Sequence, residues 1–226
     1  MAELVLALDV ATPEAGDALL ARVPGVRWVK VGSVLFTAAG PTMVTSLKIR
    51  GYRVFLDLKW HDIPNTVVGA VHQARRLGVD MVTVHTLGGG AMMSAAKDAA
   101  GPDLAVVGVT VLTSHDPAGF AAVVGRDSVD LGAEVERLAE MARRAGIDGM
   151  VSSPLETARL RAILGPDKLL VTPGIRGGAD RAGDQVRVAT AGAAARAGST
   201  HLVVGRPVLE AADPAQAWAA LTADLG

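Results

Sequence analysis

Leu77-Gly78-Val79-Asp80-Met81-Val82-Thr83-Val84 is the stretch that sets the architecture. The glycine follows an Ala- and Arg-rich segment and reads as a helix stop. Val79-Asp80 is a short turn, and the apolar run from Met81 is too short for a helix but suits a strand. The same order recurs in Ala145-Gly146-Ile147-Asp148-Gly149-Met150-Val151-Ser152. It recurs again in Ala197-Gly198-Ser199-Thr200-His201-Leu202-Val203-Val204. Outward from these three copies, short apolar runs fall at residues 4–10, 28–33, 53–59, 81–86, 105–112, 149–153, 169–174 and 201–207. Between them lie segments with helix-opening signals: Pro13-Glu14, Pro64-Asn65-Thr66, Pro154-Leu155-Glu156 and Asp213-Pro214. Eight strand-then-helix units in 226 residues average about 28 residues each, near the lower size limit of a (β/α)8 TIM barrel. A doubly wound open sheet is the rival. It would usually carry G-x-G-x-x-G after its first strand, whereas Asp9-Val10-Ala11-Thr12-Pro13 stands there. No linker or low-complexity segment interrupts the chain, so one α/β barrel domain over residues 1–226 is expected.

Composition narrows the function. Half the residues are hydrophobic but only 3% are aromatic, so Val, Leu, Ile and Ala must build the core, as in buried parallel sheets. Net charge is −1 with no basic, aromatic-interleaved stretch, which argues against nucleic acid as a partner. Cysteine is absent, so no disulfide framework, thiolate metal site or Cys nucleophile exists. The N-terminus lacks the basic region of a signal peptide, and no apolar run reaches the roughly 18 residues of a membrane span. A cytoplasmic protein without membrane contact is the expectation.

Function in a barrel belongs where the strands end. The third strand runs into Val54-Phe55-Leu56-Asp57-Leu58-Lys59-Trp60-His61-Asp62-Ile63-Pro64-Asn65-Thr66. Residues two apart on a strand share a face, so Asp57 and Lys59 project together while Leu56 and Leu58 fill the other side. Asp62 follows just beyond. Charges at the end of a buried strand are expensive unless paired. An isolated D-x-K would be an ordinary salt bridge. Here a third charge follows, and the second strand carries Lys30 in Trp28-Val29-Lys30-Val31-Gly32, where a buried lysine needs an anionic partner. Two of the chain's five lysines thus fall on this face. An alternating array of this kind suits a lysine acting as proton donor. Asp9, His85, Thr113 and Ser114 end other strands or open the loops after them.

Arg176 and Arg206 follow strands seven and eight, the usual phosphate position in barrels, and Gly205 would let backbone approach an anion. The Gly-rich polar stretch from Gly174 to Gln185 suits a loop that closes over a ligand. Leu87-Gly88-Gly89-Gly90 reads better as a tight turn into a helix than as a phosphate cradle. The five histidines show neither H-x-H nor H-E-x-x-H spacing, which gives a catalytic metal little support. Ser152-Ser153-Pro154 lacks the G-x-S-x-G context of a serine hydrolase.

Taken together, these segments resemble the bacterial type of orotidine 5′-phosphate decarboxylase. The resemblance is carried by Ala7-Leu8-Asp9, Val29-Lys30-Val31-Gly32, the long stretch from Phe55 to Val67, Leu112-Thr113-Ser114, Thr172-Pro173-Gly174-Ile175-Arg176, Asp184-Gln185 and Val204-Gly205-Arg206-Pro207. Trp60 departs from the family's usual Phe. The resemblance implies decarboxylation of orotidine 5′-phosphate to UMP, the last step of pyrimidine synthesis, with no metal or organic cofactor. It implies a charged network of Lys30, Asp57, Lys59 and Asp62, with Lys59 protonating C6 and Asp57 beside the departing carboxylate. Asp9 would bind the ribose, Thr113 the pyrimidine, and Arg176, Gln185, Gly205 and Arg206 the phosphate end. A homodimer is implied, with Asp62 and Thr66 entering the partner's site. The magnesium-dependent 3-keto-gulonate 6-phosphate decarboxylases share D-x-K-x-x-D and are the nearest rival. A non-catalytic phosphate-binding barrel is the more distant one, and it would not need the four charges.

Overall fold

The computed structural model describes residues 2–176 and 189–226. Its elements run β1 (Glu3–Ala7), α1 (Pro13–Arg22), β2 (Trp28–Gly32), α2 (Ser33–Ile49), β3 (Arg53–Trp60), α3 (Pro64–Arg76), β4 (Met81–His85), α4 (Gly89–Ala100) and β5 (Ala105–Val109). They continue with α5 (Pro117–Val123), α6 (Leu131–Arg144), β6 (Gly149–Val151), α7 (Thr157–Leu164), β7 (Leu169–Thr172), α8 (Ala191–Arg196), β8 (His201–Val204), α9 (Arg206–Leu209) and α10 (Pro214–Ala223). All eight strands pair in parallel in chain order, and β8 closes on β1. The fold is a (β/α)8 TIM barrel, as the recurring helix stops and strands require.

Pairing ends earlier than the apolar runs do. Leu8 and Val111 are buried although they lie past the ends of β1 and β5. Both join the outer shell of the core, and the Leu8 N–H donates to Lys30 O at 2.9 Å. The stretch from β5 to β6 holds two helices, α5 and α6, where the sequence suggests one segment. Leu87-Gly88-Gly89-Gly90 is indeed a turn: a 3-10 turn over Thr86–Gly88 leads into α4. In α2, Gly40 leaves helical geometry at φ 60°, and Pro41 restarts the helix after it.

Strand alternation divides the core in two. Val5, Ala7, Trp28, Phe55, Met81, Val107, Val171 and Val203 pack inside the barrel. Their neighbours one position on, such as Leu4, Leu6, Val29, Val54, Leu56 and Val82, form the shell beneath the helices. The helix-stop copies also have a job at the bottom of the barrel. Asp80 accepts from Val54 N at 2.7 Å, Asp148 from Val106 N at 2.8 Å, and the Thr200 hydroxyl from Leu170 N at 2.9 Å. In these three copies the residue before an even strand therefore caps the neighbouring odd strand. Lys48 of α2 pairs with Asp80 at 2.5 Å, and Lys97 of α4 with Asp148 at 2.7 Å. Among the described residues, no helix is long and apolar enough to cross a membrane.

Candidate active site

One pleat above the apolar barrel interior, the inward positions turn polar. Asp9 follows Ala7, Lys30 follows Trp28, Asp57 follows Phe55, and Thr83 follows Met81. Asp9, Lys30 and Asp57 meet at the floor of a cavity of about 420 Å³ at the C-terminal ends of the strands, and the buried Thr83 bonds to Asp57 from outside its lining. Lys30 is only 8% exposed. Its Nζ lies 2.7 Å from Asp9 Oδ1 and 3.9 Å from Asp57 Oδ2. A buried ion costs several kcal/mol, of order, without such partners. Gly32 leaves room for the pair, since a Cβ there would stand 3.2 Å from Lys30 Nζ.

Lys59 Nζ donates to both oxygens of Asp57 at 2.9 Å. The two residues meet as strand alternation suggests, but the backbone is not regular there. Leu56 pairs with Val82, and the next paired residue of β3, Trp60, faces Val84. Four residues of β3 thus advance against two of β4, a bulge of the kind that re-aims side chains beside active sites. Lys59 takes φ 51° within it, the one positive φ at a non-glycine among the described residues. That conformation costs about 1–2 kcal/mol. Thr83 Oγ1 accepts from Lys59 N at 2.8 Å and donates to Asp57 Oδ1 at 3.0 Å.

The rest of the cavity follows the chain ends of the other strands. Thr113, Ser153, Pro173, Gly174, Arg176, Gly205 and Arg206 line it, with Val109, Val151, Val171 and Val203 as apolar wall. Arg176 is 8% exposed, and Nη1 donates to its neighbour Ile175 O at 3.2 Å. Gly205 directly precedes α9, and a Cβ there would sit 3.5 Å from Asp9 Oδ2, in space now left to the cavity. The Ser153 hydroxyl is buried and has no hydrogen-bond partner among the described residues. An unsatisfied buried hydroxyl in a cavity wall is a ready ligand contact.

Of the expected site residues, Asp9, Lys30, Asp57, Lys59, Thr113, Arg176, Gly205 and Arg206 all reach this one cavity. Asp62 and Thr66 do not. Both are exposed, and Asp62 Oδ1 accepts from Ile63 N at 2.6 Å. Gln185 and most of the expected closing loop lie outside the described residues. Thr83 and Ser153 are functional candidates that sequence reasoning passed over. Thr83 left one signal, a lone hydroxyl at an inward position of an apolar strand. Ser153 left none, since its sequence context speaks only to a nucleophile's role.

His85 packs beside the array. Its ring stacks on His61 with centroids 5.6 Å apart, and Nδ1 accepts from Leu87 N at 3.4 Å. Burial first, then the charges of His61, Lys59 and His115, lower its pKa to about 4. At neutral pH it is uncharged, so it adds no third cation beside the lysines.

Known proteins resemble this chain along its length. The sequence profile described as orotidine 5′-phosphate decarboxylase / HUMPS family matches residues 2–221. A protein of Opitutus terrae named orotidine 5′-phosphate decarboxylase is 48% identical over 227 residues, covering 99% of this chain and 98% of its own. One of the same name from Alkalilimnicola ehrlichii is 50% identical over 228 residues, covering 98% and 95%. The crystal structure of orotidine 5′-phosphate decarboxylase from Lactobacillus acidophilus superposes with a TM-score of 0.89 at 36% identity, covering both chains fully.

Proposed function

We propose that this chain, which belongs to the orotidine 5′-phosphate decarboxylase / HUMPS family and is a carboxy-lyase, converts orotidine 5′-phosphate to UMP and CO2 with Lys59 as the proton donor. The observation that carries the reading is the relay Asp9–Lys30–Asp57–Lys59, held by contacts of 2.7, 3.9 and 2.9 Å at the floor of a cavity that also holds Arg176 and Arg206.

The chemistry explains why such an array is useful. Breaking the bond between C6 and the carboxylate leaves an electron pair on C6, with no neighbouring group to accept it. The protein can stabilise that pair only with charge already in place. Lys59 Nζ supplies both the positive charge and the proton that ends on C6. The Asp57 carboxylate lies beside the leaving CO2 and is itself fixed by Lys59, Thr83 and the more distant Lys30. Negative charge facing negative charge disfavours the bound substrate and is relieved as CO2 departs. Binding energy from the remote phosphate, held by Arg176, Gln185, Gly205 and Arg206, offsets that cost. Asp9 takes the ribose hydroxyls, and Thr113 with the Ser153 hydroxyl takes the pyrimidine edge. The product places the reaction at the end of pyrimidine nucleotide synthesis, and no step needs a metal or organic cofactor.

Asp62 and Thr66 complete the site of a second copy in a homodimer. Their exposure, and their absence from the lining of their own chain's cavity, support this arrangement. The exposed Ile63 between them (67%) gives that surface apolar area to bury. An ultraviolet assay of the purified chain with orotidine 5′-phosphate, with and without EDTA, tests the reading. Turnover insensitive to EDTA is expected. No turnover, or turnover that EDTA abolishes, would turn the assignment toward the magnesium-dependent sugar-phosphate decarboxylases.

A further inference from the structure

Thr83 stands on the inner face of β4, wholly buried, between Met81 and His85. Regular pairing stops beside it. Had the β3–β4 ladder continued past Leu56 and Val82, Asp57 would face Thr83 and Leu58 would face Val84. The bulge instead carries Lys59 out of the ladder, and its N–H finds a side chain in place of a strand carbonyl. The Thr83 hydroxyl accepts that N–H at 2.8 Å and spends its own proton on Asp57 Oδ1 at 3.0 Å. One hydroxyl thus ties the backbone of the lysine to the carboxylate on which that lysine's Nζ rests. Both of its bonds are used in a fixed direction, because the N–H can only donate and an ionised carboxylate can only accept.

We infer that Thr83 is a positioning residue for the decarboxylation, holding Lys59 in its left-handed conformation and Asp57 in the rotamer that meets it. The inference rests on the proposed roles of Lys59 and Asp57. Valine has nearly the same shape as threonine but no hydroxyl, so Thr83→Val deletes both bonds and keeps the packing. Serine keeps the hydroxyl. Misplacing a reacting group by about 1 Å costs roughly 100-fold in rate, so Thr83→Val is expected to lower kcat by about 10- to 100-fold. KM and the affinity for UMP should stay within about threefold of wild type, because Thr83 lines no part of the cavity. Thr83→Ser should recover most of kcat. A general structural role would instead damage KM and kcat together, or leave Ser no better than Val. Either result, or an unchanged kcat in Thr83→Val, overturns the inference. Thr83→Ala carries the same comparison should the valine variant fold poorly.

A crystal structure of the valine variant decides the matter independently of turnover. Lys59 is expected to leave positive φ, or its Nζ to leave Asp57. Retention of φ near 51° with both 2.9 Å contacts would refute the role of Thr83. A wild-type chain inactive on orotidine 5′-phosphate would sink the functional reading instead, while the variant's structure would still judge the positioning.

Discussion

Lys59 concentrates the chemistry proposed for this chain, and its side chain is 40% exposed while its Asp57 partner is 13% exposed. The lysine therefore faces the cavity, and the carboxylate anchors it from below. Lys59→Ala is expected to remove about 10²- to 10⁴-fold of kcat, the usual worth of a positioned proton donor, while thermal unfolding shows an intact fold. Near-normal turnover in that variant would remove Lys59 from the proton transfer. Arg206, which lines the same cavity, is proposed to hold the other end of the ligand. Losing a charge-assisted contact to phosphate weakens binding by about 1.5–3 kcal/mol, so Arg206→Ala should raise KM by roughly 10- to 100-fold. Steady-state kinetics with unchanged KM and kcat would place the phosphate elsewhere.

Strand ends explain where these groups stand. On β1, β2, β3 and β4 the inward side chain is apolar at Ala7, Trp28, Phe55 and Met81, and polar one pleat later. The change from apolar to polar comes toward the C-terminal end of each of these strands, in a staggered register that sets Lys30 beside Ala7 and Phe55. At the opposite end, Asp80 and Asp148 tie odd strands to even ones and draw in lysines from α2 and α4. Asp148→Ala would leave Val106 N–H and Lys97 without their shared carboxylate. A loss of about 1–3 kcal/mol is expected from a denaturant titration, with kcat unchanged, since the site lies at the far end of the strands. A variant as stable as wild type would mean that water replaces the carboxylate fully.

Across the whole molecule, the buried His201 and the half-buried His85 make stability depend on pH. His201 sits at the bottom of the barrel, edge-on to Trp28 with centroids 4.9 Å apart. Burial lowers its pKa to about 4; the charge of Glu3 opposes the shift and that of Arg53 adds to it. His85, near the top, is also lowered to about 4. Between that value and the ordinary 6.5, the unfolded chain binds protons that the folded chain refuses. Stability therefore rises with pH through this window and is lost as pH falls from 6.5 toward 4. Denaturant midpoints at pH 7 and pH 4.5 should show this, and His201→Phe should flatten the slope. An equal slope in the variant would assign the loss to other groups. The dimer proposal is tested at the same scale by mixing inactive Lys59→Ala and Asp62→Ala chains. If Asp62 serves its partner, half of randomly paired dimers hold one intact site, and about a quarter of wild-type activity returns. If Asp62 serves its own chain, none returns.

By itself the sequence determined the barrel and most of the residues that gather at its candidate site. Helix-stop glycines followed by short apolar runs are local signals, set by backbone sterics and burial within a few residues of each position. Eight of the expected site residues reached one cavity because, in a parallel barrel, every strand end points to the same face. Tertiary structure decided what depends on a neighbouring strand. The bulge in β3 is defined only against β4, so neither the left-handed backbone of Lys59 nor the role of Thr83 follows from either segment alone. The same holds for the caps at Asp80 and Asp148, whose N–H partners lie 26 and 42 residues away in the chain. It holds also for Ser153, whose hydroxyl became a candidate contact only when folding buried it without a partner among the described residues. Local patterns specify elements, whereas hydrogen bonds between elements depend on register, which only the closed barrel fixes.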